Sequence, residues 1–459
     1  MSGTRQMTDE IRIVSVNGML GYGYELESLK AGIDSKPHLM GCDAGSTDPG
    51  PYYLGSGKSL VRTDQIYRDL KPALVGAVRN QIPFVIGSAG FAGAKPNVEL
   101  TLDVVRRICR EEGLHFRLGV IRSDVDKATV LRALEMDEIE PMPGAPSLTR
   151  ELITESTHIV GQIGTEPYIA AFEKGAQVVI AGRSCDTAIY AAMPIWRGFD
   201  SGLALHMSKI MECGAQCAIP LAPNDCLLGT IRKDHFLVRP LAANRICTPE
   251  SVAAHTMYEQ GNPFLLYEPE GIVDIRGADF TQADRQSVRV SGSSFAPTPR
   301  LKIKLEGARR IGSRAFTIAG ARDRHVIDNL DVIERAVGDA VQRNLNPEVI
   351  RAGYELHFRY YGKNGVLGEL EPSMVSPAEV GILIEAIAPT EELASYVLSL
   401  ARSSYLHCPF PGRKATAGNL AFPFSPSDFC GGDVYDFSVY HLMNVKDQNS
   451  LFPVELETI

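Results

Sequence analysis

Ala176-Gln-Val-Val-Ile-Ala-Gly-Arg-Ser-Cys-Asp-Thr-Ala188 decides how this chain is read. Residues 176–181 are a short apolar run of the kind that fills a sheet buried on both faces. A glycine ends the run, and an apolar helical region follows to about Ala218. Upstream, Gly164 to Gly175 carries helical periodicity, so the segment reads helix, strand, loop, helix.

Working outward, the same unit recurs. Ile11-Arg-Ile-Val-Ser-Val16 is a β-branched strand followed by glycines, and Tyr24 to Gly32 reads as a helix. His38 to Met40 runs into Gly41, a helix covers about Thr63 to Asn80, and Pro83-Phe-Val-Ile86 is a buried strand ending at Gly87. A helix from Val98 to Gly113 precedes the strand His115 to Ile121. The Pro-rich passage from Glu138 to Pro146 interrupts this alternation without ending it. The expected fold class is α/β: a doubly wound, mostly parallel sheet over residues 1–222, with a second, α+β domain over residues 223–459. In that second half His235 to Val238, Phe264 to Tyr267, Ser287 to Val290, Leu301 to Leu305 and Tyr354 to Tyr360 read as strands. A helix is expected from Asp323 to Gln342, and a helix pair between Pro377 and Tyr405.

Composition excludes several function classes. The 459 residues are 44% hydrophobic and 22% charged, near globular averages, and exceed what one core usually supports. The net charge of −9 with scattered Lys and Arg argues against a nucleic-acid partner. No apolar run approaches the roughly 20 residues that cross a bilayer, and Met1 to Glu10 lacks the apolar core of a signal peptide. The expected location is therefore the cytoplasm, with no membrane partner. Nine cysteines in no framework spacing read as reduced thiols, and Cys213 with Cys217 lacks the second ligand pair of a zinc site.

In an open parallel sheet the loops leaving the carboxyl ends of the strands share one edge, where ligands meet helix N-termini and free N–H groups. Four loops qualify: Asn17 to Tyr24, Gly41 to Gly50, Gly87 to Gly93 and Gly182 to Ala188. The first offers Gly21 and the third Ser88 and Gly90 as backbone contacts to substrate, although each loop also reads as a tight turn that binds nothing. Leu26 stands where a dinucleotide fingerprint needs its third glycine, and Tyr52 where a P-loop ending in Gly57-Lys58-Ser59 needs its first.

The second loop gathers Asp43, Ser46, Thr47 and Asp48, two carboxylates and two hydroxyls suited to a proton transfer. Turn and cap roles account for Asp48, Ser46 and Thr47 equally well, but not for Asp43. In the fourth loop Arg183 matches a substrate carboxylate with its fork of donors, and Asp186 is either a helix cap or an acid. Glu212 sits at a helix C-terminus, where the dipole opposes it, so a tertiary reason for it is expected.

These loops, together with His158 to Tyr168, Gly182 to Ala188 and Glu212-Cys-Gly-Ala-Gln216, resemble the acyclic terpene utilisation family of AtuA-like proteins, from about Ile11 to Tyr440. The family is named for a bacterial gene cluster that degrades branched terpenoids through coenzyme A thioesters, and the resemblance implies no settled reaction. Longer members carry a small C-terminal domain; a chain ending at Ile459 resembles the large-subunit form, which implies a separately encoded small protein. The loop Gly41 to Gly50 departs from the family pattern, so the substrate need not be a terpenoid.

The leading expectation is an acid/base enzyme, a hydratase, dehydratase or isomerase, acting on a small carboxylic acid or its thioester. Asp43, Asp186 and Glu212 are its catalytic candidates, and Ser46, Thr47, Arg183, Gly21, Ser88 and Gly90 its substrate contacts. The alternative is a non-catalytic subunit that binds a metabolite or metal and assembles with the small protein. No cofactor is specified; a divalent metal held by Asp43 and Asp48 is the one candidate. A homo-oligomer is expected.

Overall fold

In the computed structural model the described residues are 8–222, 224–259, 261–372, 376–414 and 416–459. Residues 1–7 of the N-terminal reading, and Pro223 at the expected domain boundary, lie outside them. The chain is a mixed α/β protein with parallel strands in its largest sheet. Chain contacts divide it into two compact units, residues 1–309 with 437–459, and residues 310–436.

In the first unit, β1 (Ile11–Ser15), β2 (Leu39–Asp43), β3 (Phe84–Gly87), β4 (Arg117–Ile121) and β5 (Val178–Ala181) run parallel in the order β1, β2, β3, β5, β4. Helices connect them because a parallel pairing needs a crossover: α1 (Leu26–Asp34), α2 (Thr63–Arg79), α3 (Lys95–Glu112) and α4 (Thr165–Glu173). The strands alternate between two apolar clusters. Val14, Met40, Phe84 and Ile180 pack with Leu70, Leu74 and Leu102 of α2 and α3. Ile13, Leu39, Val85 and Val179 pack with Tyr168 of α4 and with residues beyond β5. Each such buried aliphatic side chain contributes roughly 1.5–3 kcal/mol, which makes these strands the least movable part of the unit.

The single helical region expected after β5 is two helices, α5 (Ala188–Trp196) and α6 (Ser201–Met211). The Asp200 carboxylate accepts from Leu203 N at 2.9 Å and so starts a new helix. The units also divide elsewhere than at residue 222. β6 (Leu227–Ile231) runs antiparallel on the free edge of β1, β7 (Phe236–Pro240) follows on β6, and Val454–Thr458 pairs with β4. An unpaired edge of a buried sheet needs such partners whatever their distance in sequence.

The second unit is antiparallel. β8 (Leu301–Ala321) ends in it, β9 (Glu355–Tyr361) and β10 (Val380–Ala388) lie within it, and β11 (Asp428–Val445) begins in it; in it β10 pairs both β8 and β9. Its core lies against α7 (Leu330–Asn344) and α8 (Glu391–His407). The helix pair expected between Pro377 and Tyr405 is therefore one strand and one helix. Val380, Ile382, Ile384 and Ala386 are all buried on the helix side, an alternation of two that outweighs the helix-forming content of the segment.

Candidate functional site

The parallel strands end on one edge, where the four expected loops meet, the first bonded to the second through Leu20 N, which donates to Asp43 O at 2.9 Å. Asp43 ends β2, buried, with Oδ1 accepting from Ala44 N at 2.8 Å and Gly45 N at 3.4 Å. The loop after β3 lies directly against the loop after β5: Gly93 has φ +72, and a Cβ there would stand 2.0 Å from Arg183 N. Ser88 is buried, and its hydroxyl accepts from Arg183 Nη1 and Ser184 N, each at 3.2 Å.

Arg183 is buried and extensively bonded. Nε donates to Glu306 at 2.9 Å, and Nη1 donates to Ser184 O at 3.0 Å and Asp186 at 3.4 Å. Among the described residues Nη2 has no partner, while Arg183 lines a cavity of about 490 Å³. Asp48, Asp186, Lys209, Glu212, Glu268 and Lys304 line the same cavity. Lys209 lies one turn before Glu212 on α6, donates to its carboxylate, and stands 4.5 Å from the centre of the Tyr258 ring. Lys304 and Glu306 project from one face of β8, with Nζ 2.9 Å from Oε1.

Burial is the dominant influence on the acids. It raises the Glu212 carboxyl to about 8, against the pull of Lys209 and with the push of Asp186. Glu268 is also raised to about 8 by burial, against the hydrogen bond it accepts from Thr187 at 2.7 Å and with the charges of Glu270 and Glu212. Asp43 and Asp186 are both raised by burial. The Asp186 charge raises Asp43 further, and Arg183 opposes both. Glu306 is the exception: burial is overcome by Arg183 and Lys304, which hold it down at about 2.

Of the expected residues, Asp43, Arg183, Asp186 and Glu212 fall within electrostatic reach of one another. Asp48 lines the cavity, with its Oδ2 accepting from the Ser46 hydroxyl at 2.8 Å. Asp43, Ser46, Thr47 and Ser88 are not lining residues, and Asp43, Thr47 and Ser88 are buried. Gly21 does not line the cavity, and its N–H donates to Asp69 of α2 at 2.9 Å. Gly90 turns the loop at φ +68, where a Cβ would meet Asn97 O at 2.1 Å, and it does not line the cavity. Among the described residues no group of three or more His, Cys, Asp or Glu side chains is arranged for a metal, and no helix is long and apolar enough to cross a membrane.

Sequence reasoning missed Lys209, Glu268, Lys304 and Glu306. Lys209 carried a usable signal, the three-residue spacing from Glu212 on one helix. The other three come from strands far along the chain that no local pattern ties to this edge.

Comparison with known proteins agrees with the family resemblance. The family model described as acyclic terpene utilisation family protein AtuA matches residues 62–220 and 235–422, more than half of the chain, and the chain belongs to that family. No curated protein and no solved structure matches it.

Proposed function

We propose that this member of the acyclic terpene utilisation family is an acid/base enzyme, a hydratase, dehydratase or isomerase acting on a small carboxylic acid or its thioester. One observation carries the reading: Glu212 and Glu268, each raised to about 8, face the same cavity as Arg183 and Lys209. Carboxyls with such values are protonated near neutral pH, so they can donate a proton and do not repel an anionic substrate. The sheet is read as doubly wound, which sets this cavity where such folds bind ligands.

Arg183 Nη2 anchors the substrate carboxylate or thioester carbonyl. The Asp43 and Asp186 carboxyls are close enough to repel when both are ionised; Asp186, which lines the cavity, removes the proton beside the carbonyl, and Asp43 behind it holds the second proton of the pair. In dehydration Glu212 or Glu268 gives its proton to the departing hydroxyl, the C–H electron pair becomes the new C=C bond, and water leaves. In isomerisation a proton returns to another carbon. Both begin with abstraction of the same proton.

That shared step defines the test. Hydroxy and unsaturated carboxylic acids and their coenzyme A thioesters are incubated with the chain in heavy water and followed by proton NMR. Loss of the α-proton signal is expected with at least one of them, and Asp43→Asn, Asp186→Asn and Glu212→Gln should slow it by about 10²–10⁴-fold. No exchange with any substrate, or exchange indifferent to all three variants, overturns the reading. A second reading, a metabolite-binding subunit working with a separate small protein, is favoured by the pairing of Arg183 and Lys304 with Glu306. It predicts ligand-induced thermal stabilisation without exchange.

A further inference from the structure

The second unit has an open strand edge. Among the described residues β9 pairs with β10 alone, from Glu355 opposite Ile387 to Tyr361 opposite Gly381. Among the described residues its outward-facing N–H and C=O groups between Glu355 and Arg359 make no main-chain hydrogen bond to another element, and the following loop bonds only Tyr360 O of the strand. Sheets normally blunt such an edge with a proline, a bulge or a covering element, because unpaired main-chain groups template another strand. β9 has seven residues and no proline. Leu356 and Phe358 pack only partly against the core on one face, and Glu355, His357 and Arg359 stand on the other.

A groove of about 410 Å³ is lined by Leu356 to Arg359 of this strand, by Glu334 and by the loop Asn364 to Gly368. In that loop Val366 is 85% and Leu367 50% exposed.

We propose that β9 pairs antiparallel with β9 of a second copy of the chain, about a two-fold axis through His357. The sequence Glu355-Leu-His-Phe-Arg359 is self-complementary in that register: Glu355 faces the second copy's Arg359, and Leu356 faces its Phe358. Moving the axis to Phe358 sets Glu355 against Tyr361 and His357 against Arg359, which loses the ion pair. Each favourable cross-strand pair contributes roughly 0.2–1 kcal/mol, and the two-fold doubles it. Both charged groups remain able to reach across. The Glu355 carboxylate now bonds only its neighbour His357, at 3.0 Å, and Arg359 reaches Glu385 through Nη1 alone among the described residues. Self-complementarity singles out a second copy over an unrelated extended peptide, which has no reason to match this register.

Sedimentation of the full chain at tens of micromolar should give a dimer. Cross-axis Cα atoms at about 4.5–5.5 Å are within disulfide reach. His357→Cys, made with the exposed Cys430 changed to Ser, should therefore form a covalent dimer under mild oxidation, seen on a non-reducing gel. Glu355→Arg should weaken the dimer about tenfold or more, and Glu355→Gln should weaken it less. Thermal melting of each variant separates lost pairing from lost folding, and the cysteine variant leaves both charged groups intact. A monomeric wild type, a dimer whose His357→Cys variant does not cross-link, or association only after a second protein is added overturns the proposal.

Discussion

Two buried glutamates, one in each unit, are each held by two cations, and their surroundings differ. In the first unit Glu306 has no exposure and lies between Arg183 and Lys304, beside further acids whose pKa values are raised. In the second unit Glu385 lies between Arg314 and Arg359, whose side chains are 38% and 41% exposed, on a sheet face where Ile318 and Tyr361 stand out to solvent. Both glutamates are held below their usual value by their cations, despite burial. The pairing alone therefore marks no function. What distinguishes the first unit is the excess of acids around the trio, which no cation satisfies fully and which burial keeps protonated.

The largest expected effect separates the two trios directly. Glu306→Gln leaves Arg183 and Lys304 short of a buried counter-charge and should cost about 3–5 kcal/mol in urea unfolding. A loss below that seen for the same change at Glu385 would break the comparison. Gly93→Ala comes next: a left-handed backbone and a Cβ pressed on Arg183 N should cost about 1–3 kcal/mol, and should lower turnover more than stability by displacing the guanidinium.

The pH dependence is smaller and has opposite signs at the two kinds of site. Glu212 and Glu268 bind their protons more tightly when folded, with values near 8 against an ordinary 4.5. Their contribution to stability is complete below about 4.5 and is lost as pH rises through about 8. Glu306, lowered to about 2, contributes above 4.5 and loses that contribution as pH falls toward 2. Discounted for partial exposure and pairing, the fall between about pH 5 and 8 should be on the order of 1–2 kcal/mol, and Glu212→Gln with Glu268→Gln should flatten it. Smallest of all is Glu385→Gln, at about 1 kcal/mol or less in the same urea titration, because both arginines recover water.

Much of the first unit was legible. The strands at Ile11, Pro83 and Ala176 combine β-branched runs with glycine stops, and their helices carry a separate period, so the elements and the edge follow from local pattern. Arg183, Asp186, Asp43 and Glu212 could be named because each directly follows a strand or ends a helix. Ser46, Thr47 and Gly21 were equally well placed in sequence, yet Ser46 serves its own turn, Thr47 is packed away, and Gly21 spends its N–H on Asp69. In the second half Val380–Ala388 combines Ala, Glu and Leu with Ile and Val, and the strand is chosen by the neighbours it pairs with.

What the sequence by itself determined is local: which segments are strand or helix, and which side chains leave the carboxyl ends of the parallel strands. Only the tertiary structure decided that Glu268, Lys304 and Glu306 join those side chains, and that two carboxyls there hold their protons to about pH 8. The reason is physical. Periodicity acts over a few residues along the chain, whereas the energy of a charge depends on the water removed from it and on every other charge within several ångströms, whatever their separation in sequence.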